Sequence, residues 1–160
     1  MNYIKLAESL KKDYGKKVNR TLRDMKNKYQ DKEKVKKILK KRNPVIYKVF
    51  AKEIKPGKMA ALTVINSRSV SRECFMTKGH KHKNPLSEKY ILIKGQGKIV
   101  LQNSKSKIVN LKKNKEIIVP GKYAHRAVNT GKGKLGFLSI YDKKSGHNYK
   151  VIFKKRIFCE

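Results

Sequence analysis

Acidic residues are scarce in this 160-residue chain: Asp and Glu number 11, against 43 Lys and Arg, a formal net charge of +32. Arginine is scarce as well, at seven of the 43. No apolar run approaches the ~18 residues of a membrane span, which excludes a transmembrane helix. Met1 to Lys12 has no uninterrupted apolar stretch of the secretory type, so a cytoplasmic protein is expected. Cysteine is limited to Cys74 and Cys159, too far apart for a metal or redox spacing. A disulfide scaffold is excluded, and two reduced thiols are expected. What is present suits one domain with a short appendage. Hydrophobic residues at 38% supply one modest core, too many for a disordered chain.

The charge has two readings. A field of this sign concentrates polyanions, nucleic acid included, and speeds capture of phosphorylated metabolites. Drift toward Lys would instead leave a soluble, Lys-coated surface with no specific partner. The second reading is favoured, because the lysines are spread along the whole chain and specific nucleic-acid readout leans on Arg.

Residues 1–42 read as a charged, helical N-terminal region. Tyr3, Ile4, Leu6 and Leu10 fall roughly on one helix face, and Val35, Ile38 and Leu39 on another that opens near Asp31. Pro44 closes the region, since the residue before a proline disfavours helix. Residues 43–160 carry short β-type runs at 45–54, 60–66, 72–76, 88–94, 98–102, 106–111, 116–119, 124–129, 135–141 and 149–153. Between them lie Pro56-Gly57, Asn84-Pro85, Gly95-Gln96-Gly97, Asn103-Ser104, Asn114, Pro120-Gly121, Gly131-Lys132-Gly133 and Ser145-Gly146. The expected fold is mainly β, a small antiparallel barrel or sandwich.

Chemistry concentrates in the four histidines, His80, His82, His125 and His147. On a strand, residues two apart share a face, so His80 and His82 would project together. Asn84-Pro85 marks a turn, after which Glu88 opens the next strand and can return beside them. His125 follows the Pro120-Gly121 turn in a later strand. Three imidazoles and a carboxylate suit a divalent transition metal such as Fe, Mn, Ni, Co or Zn. Each piece alone is bland: a His-x-His pair is usually incidental and a lone Glu is usually solvated. Order and spacing together carry the weight.

These residues resemble a family. Gly79-His80-Lys81-His82, Glu88 and Gly95-Gln96-Gly97 are similar to the first metal motif of the cupins, and Pro120-Gly121 through His125 with Asn129 to the second. More narrowly, the chain resembles the cupin-type glucose-6-phosphate isomerases of archaea. The likeness rests on Thr77 to His82, Glu88-Lys89-Tyr90, His125 to Gly131, Tyr141, Gly146-His147-Asn148-Tyr149 and the upstream Arg23-Asp24-Met25. It runs from about residue 20 to residue 152.

The resemblance implies a cupin (jelly-roll) barrel and a metal-dependent isomerase acting on a sugar phosphate in glycolysis and gluconeogenesis. His80, His82, Glu88 and His125 would bind one divalent ion, iron first among the candidates. Thr63, Thr77 and Gly79 would hold the substrate phosphate, assisted by Lys78. Tyr90, Tyr141, His147 and Tyr149 would line the sugar site, with Glu88 and His147 as catalytic groups. A homodimer is implied too. Departures from the family pattern fall at Lys150, Arg156-Ile157, Tyr123 and Asn27; none removes a metal ligand. Two further readings stand beside this one: another metal-dependent cupin enzyme, such as a dioxygenase or a different sugar-phosphate isomerase, and a non-catalytic, non-specific polyanion binder.

Overall fold

Strict alternation in the strand spanning Lys58–Ile65 shows how the molecule is layered. Ala60 and Leu62 turn to a helix on one face, while Ala61 and Thr63 turn to a cavity on the other. The structure is a computed structural model and describes residues 1–160. Its helices are α1 (Tyr3–Lys12) and α2 (Lys32–Leu39). Its strands are β1 (Lys16–Thr21), β2 (Val45–Lys55), β3 (Lys58–Ile65), β4 (Ser69–Val70), β5 (Glu73–Cys74) and β6 (Glu88–Lys94). They continue with β7 (Gly97–Gln102), β8 (Ser106–Asn110), β9 (Glu116–Val119), β10 (Ala124–Asn129) and β11 (Leu135–Asp142).

All the pairings are antiparallel. Six strands form one sheet in the order β1-β2-β3-β11-β6-β9, and three form a second in the order β10-β7-β8. The main core lies where the sheets meet: Tyr47, Ile65, Tyr90 and Phe137 of the first pack with Ile99, Leu101, Ala127 and Val128 of the second. Burial of these side chains is the dominant stabilising term. The mainly β, antiparallel expectation holds.

Helix α1 covers the outer face of the larger sheet. Asn2 caps it by accepting from Lys5 N at 3.0 Å, and Ala7 and Leu10 bury against Ala60, Leu62, Ile91 and Leu138. Ile4, expected on that face, is 53% exposed, because the 3.6-residue period puts Tyr3, Leu6, Ala7 and Leu10 in register instead.

Three local expectations fail. Residues 16–21, read within a helical region, form β1, paired with β2 from Lys16↔Ala51 to Thr21↔Val45. Its sequence KKVNRT offers one apolar residue, so pairing with β2 overrides local preference. The run at 149–153 forms no strand, and the run at 72–76 shrinks to β5.

The two thiols are not free. Cys74 and Cys159 form a disulfide, with Cα atoms 5.2 Å apart across 85 positions of chain. The C-terminal tail returns alongside β5: Cys74 N donates to Ile157 O (3.1 Å) and Cys159 N to Arg72 O (2.6 Å). Arg156 also pairs with the buried Glu73 at 2.8 Å. Linear spacing carries no signal for a pair brought together by tertiary return of the tail.

Candidate active site

Backbone pairing brings the site together. His80 N donates to His125 O (3.1 Å) and His125 N to His80 O (2.9 Å), a single bridge that sets the two imidazoles side by side. The next residue, Lys81, exchanges the same pair of bonds with Asn148 (2.9 and 2.8 Å), which draws His147 in. Glu88 opens β6 opposite Tyr141 of β11. The Asn84-Pro85 and Pro120-Gly121 turns pack so closely that a side chain on Gly121 would strike the Pro85 backbone. Gly79 takes φ +75°, and a Cβ there would collide with the Phe153 ring.

Glu88 Oε2 is the focus. It lies 2.6 Å from His125 Nε2, 3.2 Å from His82 Nε2 and 3.8 Å from His80 Nε2. Glu88, His82 and His125 are buried. The close His125–Glu88 approach is not an aligned hydrogen bond, and Nε2 of both His80 and His125 lacks a hydrogen-bond partner. His82 Nδ1 contacts Leu86 O at 2.7 Å, and His125 Nδ1 contacts Tyr123 O at 3.3 Å. A carbonyl only accepts, so Nδ1 carries the proton in each ring and a neutral ring turns its Nε2 lone pair inward. Lone pairs facing a carboxylate oxygen call for a cation between them.

A divalent metal meets that need. The four ligand atoms lie within 4.8 Å of one another, and small adjustments bring them to the ~2.0–2.2 Å bonds of imidazole and carboxylate ligands. His80, His82, Glu88 and His125 are therefore a set able to hold such an ion.

The surrounding electrostatics centre on one anion: burial opposes charge on His82, yet its contacts with Glu88 and with Leu86 O leave that imidazole raised. Burial alone would raise the Glu88 carboxyl, but the facing histidines hold it well below the usual carboxylate range. Burial is the main cause that lowers His80, and it brings His147 down to about 4, with His80 adding to the effect. Burial, helped by the Glu88 charge, pushes the Tyr141 hydroxyl up to about 12 and Tyr90 well above its ordinary value.

A cavity of about 110 Å³ opens over this cluster. Thr63, Thr77, Gly79, Tyr90, Tyr141, His147 and Tyr149, all expected from the sequence to line a substrate site, line it together with His80, Glu88 and His125. The His147 ring is 4.3 Å from that of His80, and Tyr149 at the mouth is 40% exposed. Thr77 Oγ1 accepts from Ala127 N at 3.0 Å, which leaves its own proton free to donate. Sequence reasoning missed Tyr47, Val49, Ala61, Phe137 and Ser139. The signal for most of them was present: two-residue alternation from Tyr141 gives Ser139 and Phe137, and from Thr63 gives Ala61.

A family model described as "Glucose-6-phosphate isomerase (GPI)" matches residues 19–160. The chain belongs to the glucose-6-phosphate isomerase family. Among curated relatives, the glucose-6-phosphate isomerase of Pyrococcus horikoshii is 38% identical over 147 residues, covering 88% of this chain and 78% of the relative. That of Thermococcus litoralis is 38% identical over 147 residues, covering 88% and 77%. Solved structures give the fold of this family member as a cupin. Oxalate decarboxylase of Bacillus subtilis aligns with TM-score 0.52 at 21% identity, covering 64% of this chain and 27% of that one. A cupin-2 domain from Rhodospirillum rubrum aligns with TM-score 0.50 at 10% identity, covering 72% and 66%.

Proposed function

We propose that this protein interconverts glucose 6-phosphate and fructose 6-phosphate with one divalent metal, iron first among the candidates. The observation that carries the reading is the convergence of three imidazoles on one oxygen of a buried carboxylate, in a chain of the glucose-6-phosphate isomerase family. His80, His82, Glu88 and His125 would hold the ion, and it would supply Lewis-acid stabilisation of enediolate charge on the C1 and C2 oxygens.

Isomerisation moves one hydrogen between C1 and C2 and one proton between the adjacent oxygens. A base on the carbon side is needed, and Glu88 has an oxygen to spare. The three imidazoles and the Tyr90 hydroxyl all address Oε2, and Oε1 makes no hydrogen bond within the protein. Oε2 then serves as the ligand and Oε1 as the proton carrier, so a ligated carboxylate keeps a basic site. His147, neutral near pH 7, can take a proton from one sugar oxygen and return one to the other, and can open the ring. The cavity is small beside the ~300–1,000 Å³ of a typical ligand pocket. The phosphate end would therefore lie at the mouth, among Thr63, Thr77, Gly79 and Tyr149.

The test is a coupled assay with fructose 6-phosphate after chelation and after re-addition of single metals. Turnover restored by one or more divalent ions is expected. Full activity in both Glu88→Ala and His147→Ala would reject these roles. A homodimer and a cytoplasmic location complete the proposal. Size-exclusion chromatography with light scattering tests the first. Cell fractionation tests the second, with the protein expected in the cytosolic fraction. Non-specific capture of polyanions by the surface lysines is a secondary consequence, readable as salt-sensitive nucleic-acid binding that survives loss of the metal ligands.

A further inference from the structure

Arg126 follows the ligand His125 in β10, yet its guanidinium turns away from the metal cluster. It is 4% exposed and forms no ion pair. Its Nε donates to Thr77 O (3.0 Å) and its Nη2 to Lys78 O (2.9 Å), two successive carbonyls of one loop. Its planar group stacks on Phe153 at 4.4 Å, the same ring that fills the space beside Gly79.

In a trans peptide the carbonyl of one residue and the N–H of the next point in opposite directions. Holding Thr77 O and Lys78 O therefore turns the N–H groups of Lys78 and Gly79 away from Arg126. The Lys78 N–H donates to Tyr47 Oη (3.2 Å), and Tyr47 lines the cavity. The Gly79 N–H has no acceptor in the protein, and Gly79 lines the same cavity. Arg126 has no carboxylate in contact, since the nearby buried Glu73 is paired with Arg156, so an anion in front of the loop would offset part of the cost of burying its charge.

We propose that Arg126 is a positioning residue for the substrate phosphate: it fixes the Thr77–Lys78–Gly79 backbone so that the Gly79 N–H and the Tyr47 hydroxyl face an anion, and it lends that anion its charge from behind. This rests on the sugar-phosphate reading above. Lysine cannot replace it fully, because one ammonium cannot hold two carbonyls in a fixed fork.

The experiment uses the metal-loaded full chain and compares wild type with Arg126→Met and Arg126→Lys. Binding of inorganic phosphate is measured by calorimetry, KM and kcat with fructose 6-phosphate, and metal content by elemental analysis. Arg126→Met is expected to weaken phosphate binding and raise KM by roughly tenfold or more, with a smaller change in kcat and no change in metal content. Arg126→Lys recovers part of that loss. Phosphate affinity and KM within about twofold of wild type in Arg126→Met would overturn the inference, as would equal losses in kcat and 1/KM. If Arg126→Met does not fold, Phe153→Leu decides: weaker phosphate binding of about threefold is expected, and unchanged binding overturns the proposal. If wild type binds phosphate through Arg126 but turns over no fructose 6-phosphate, the isomerase reading falls and this one stands. If it turns over the sugar yet binds no phosphate, the reverse holds.

Discussion

Opening the Cys74–Cys159 bond is expected to be the largest single loss of stability available without touching the cavity. The bond closes a loop spanning 85 positions. In the chain-entropy treatment such a loop removes about 15 cal/mol/K from the unfolded state, which is ~4.6 kcal/mol at 25 °C. The folded side changes little, because the tail is also held by Cys74 N to Ile157 O, Cys159 N to Arg72 O and the Arg156–Glu73 pair. With an unfolding entropy of ~2.1 cal/mol/K per residue, the loss lowers the melting midpoint by roughly 10–15 °C. The assay is equilibrium unfolding in guanidinium chloride, comparing Cys159→Ser, wild type with reductant and wild type without. Cys159→Ser and reduced wild type should agree and should both fall below the oxidised form. A difference under about 1 kcal/mol, or one wholly in the m-value, would refute the loop-closure reasoning.

Four further outcomes are expected. Glu88→Gln removes the one anion among the three imidazoles, so metal affinity falls and turnover drops by at least about 10²-fold, read by metal titration and coupled assay. Stripping the metal lowers the melting midpoint, and re-addition restores it in proportion to the logarithm of free metal, read by thermal scans at several concentrations. Leu10→Ala, on α1 and remote from the cavity, costs about 2–4 kcal/mol in denaturant unfolding while KM stays near wild type. Gly79→Ala forces a side chain into the Phe153 ring at a left-handed φ of +75°, so substrate affinity falls more than stability, read as KM against unfolding midpoint.

The convergence of His80, His82, Glu88 and His125 was legible because each of them sits beside a strong local signal. His80 and His82 follow Gly79, Glu88 follows Asn84-Pro85, and His125 follows Pro120-Gly121; turns and two-residue alternation survive in any sheet context. Strand β1 was illegible because Lys16–Thr21 holds no apolar alternation, and only β2 makes it extended. The disulfide was illegible for a related reason: its partners meet through the return of the tail along β5. Arg126 was visible as part of a family motif, but nothing in a sequence tells that a guanidinium will point backward to brace a loop. Ser139 and Phe137 lay two and four residues before Tyr141, and the same alternation that paired the histidines would have named them.

The lysine excess also has a consequence for the margins of the sheets. At one margin β1 carries exposed Lys16, Lys17 and Asn19, and at another β8 carries exposed Ser106 and Lys107. Open edges offer unpaired amides to any passing strand, and ammonium groups placed there repel a second copy before it can zip on. That protection is Coulombic and weakens with ionic strength; near 1 M salt its reach shrinks to about 3 Å. A chain this cationic should thus stay dispersed in dilute buffer and lose colloidal stability as salt is added.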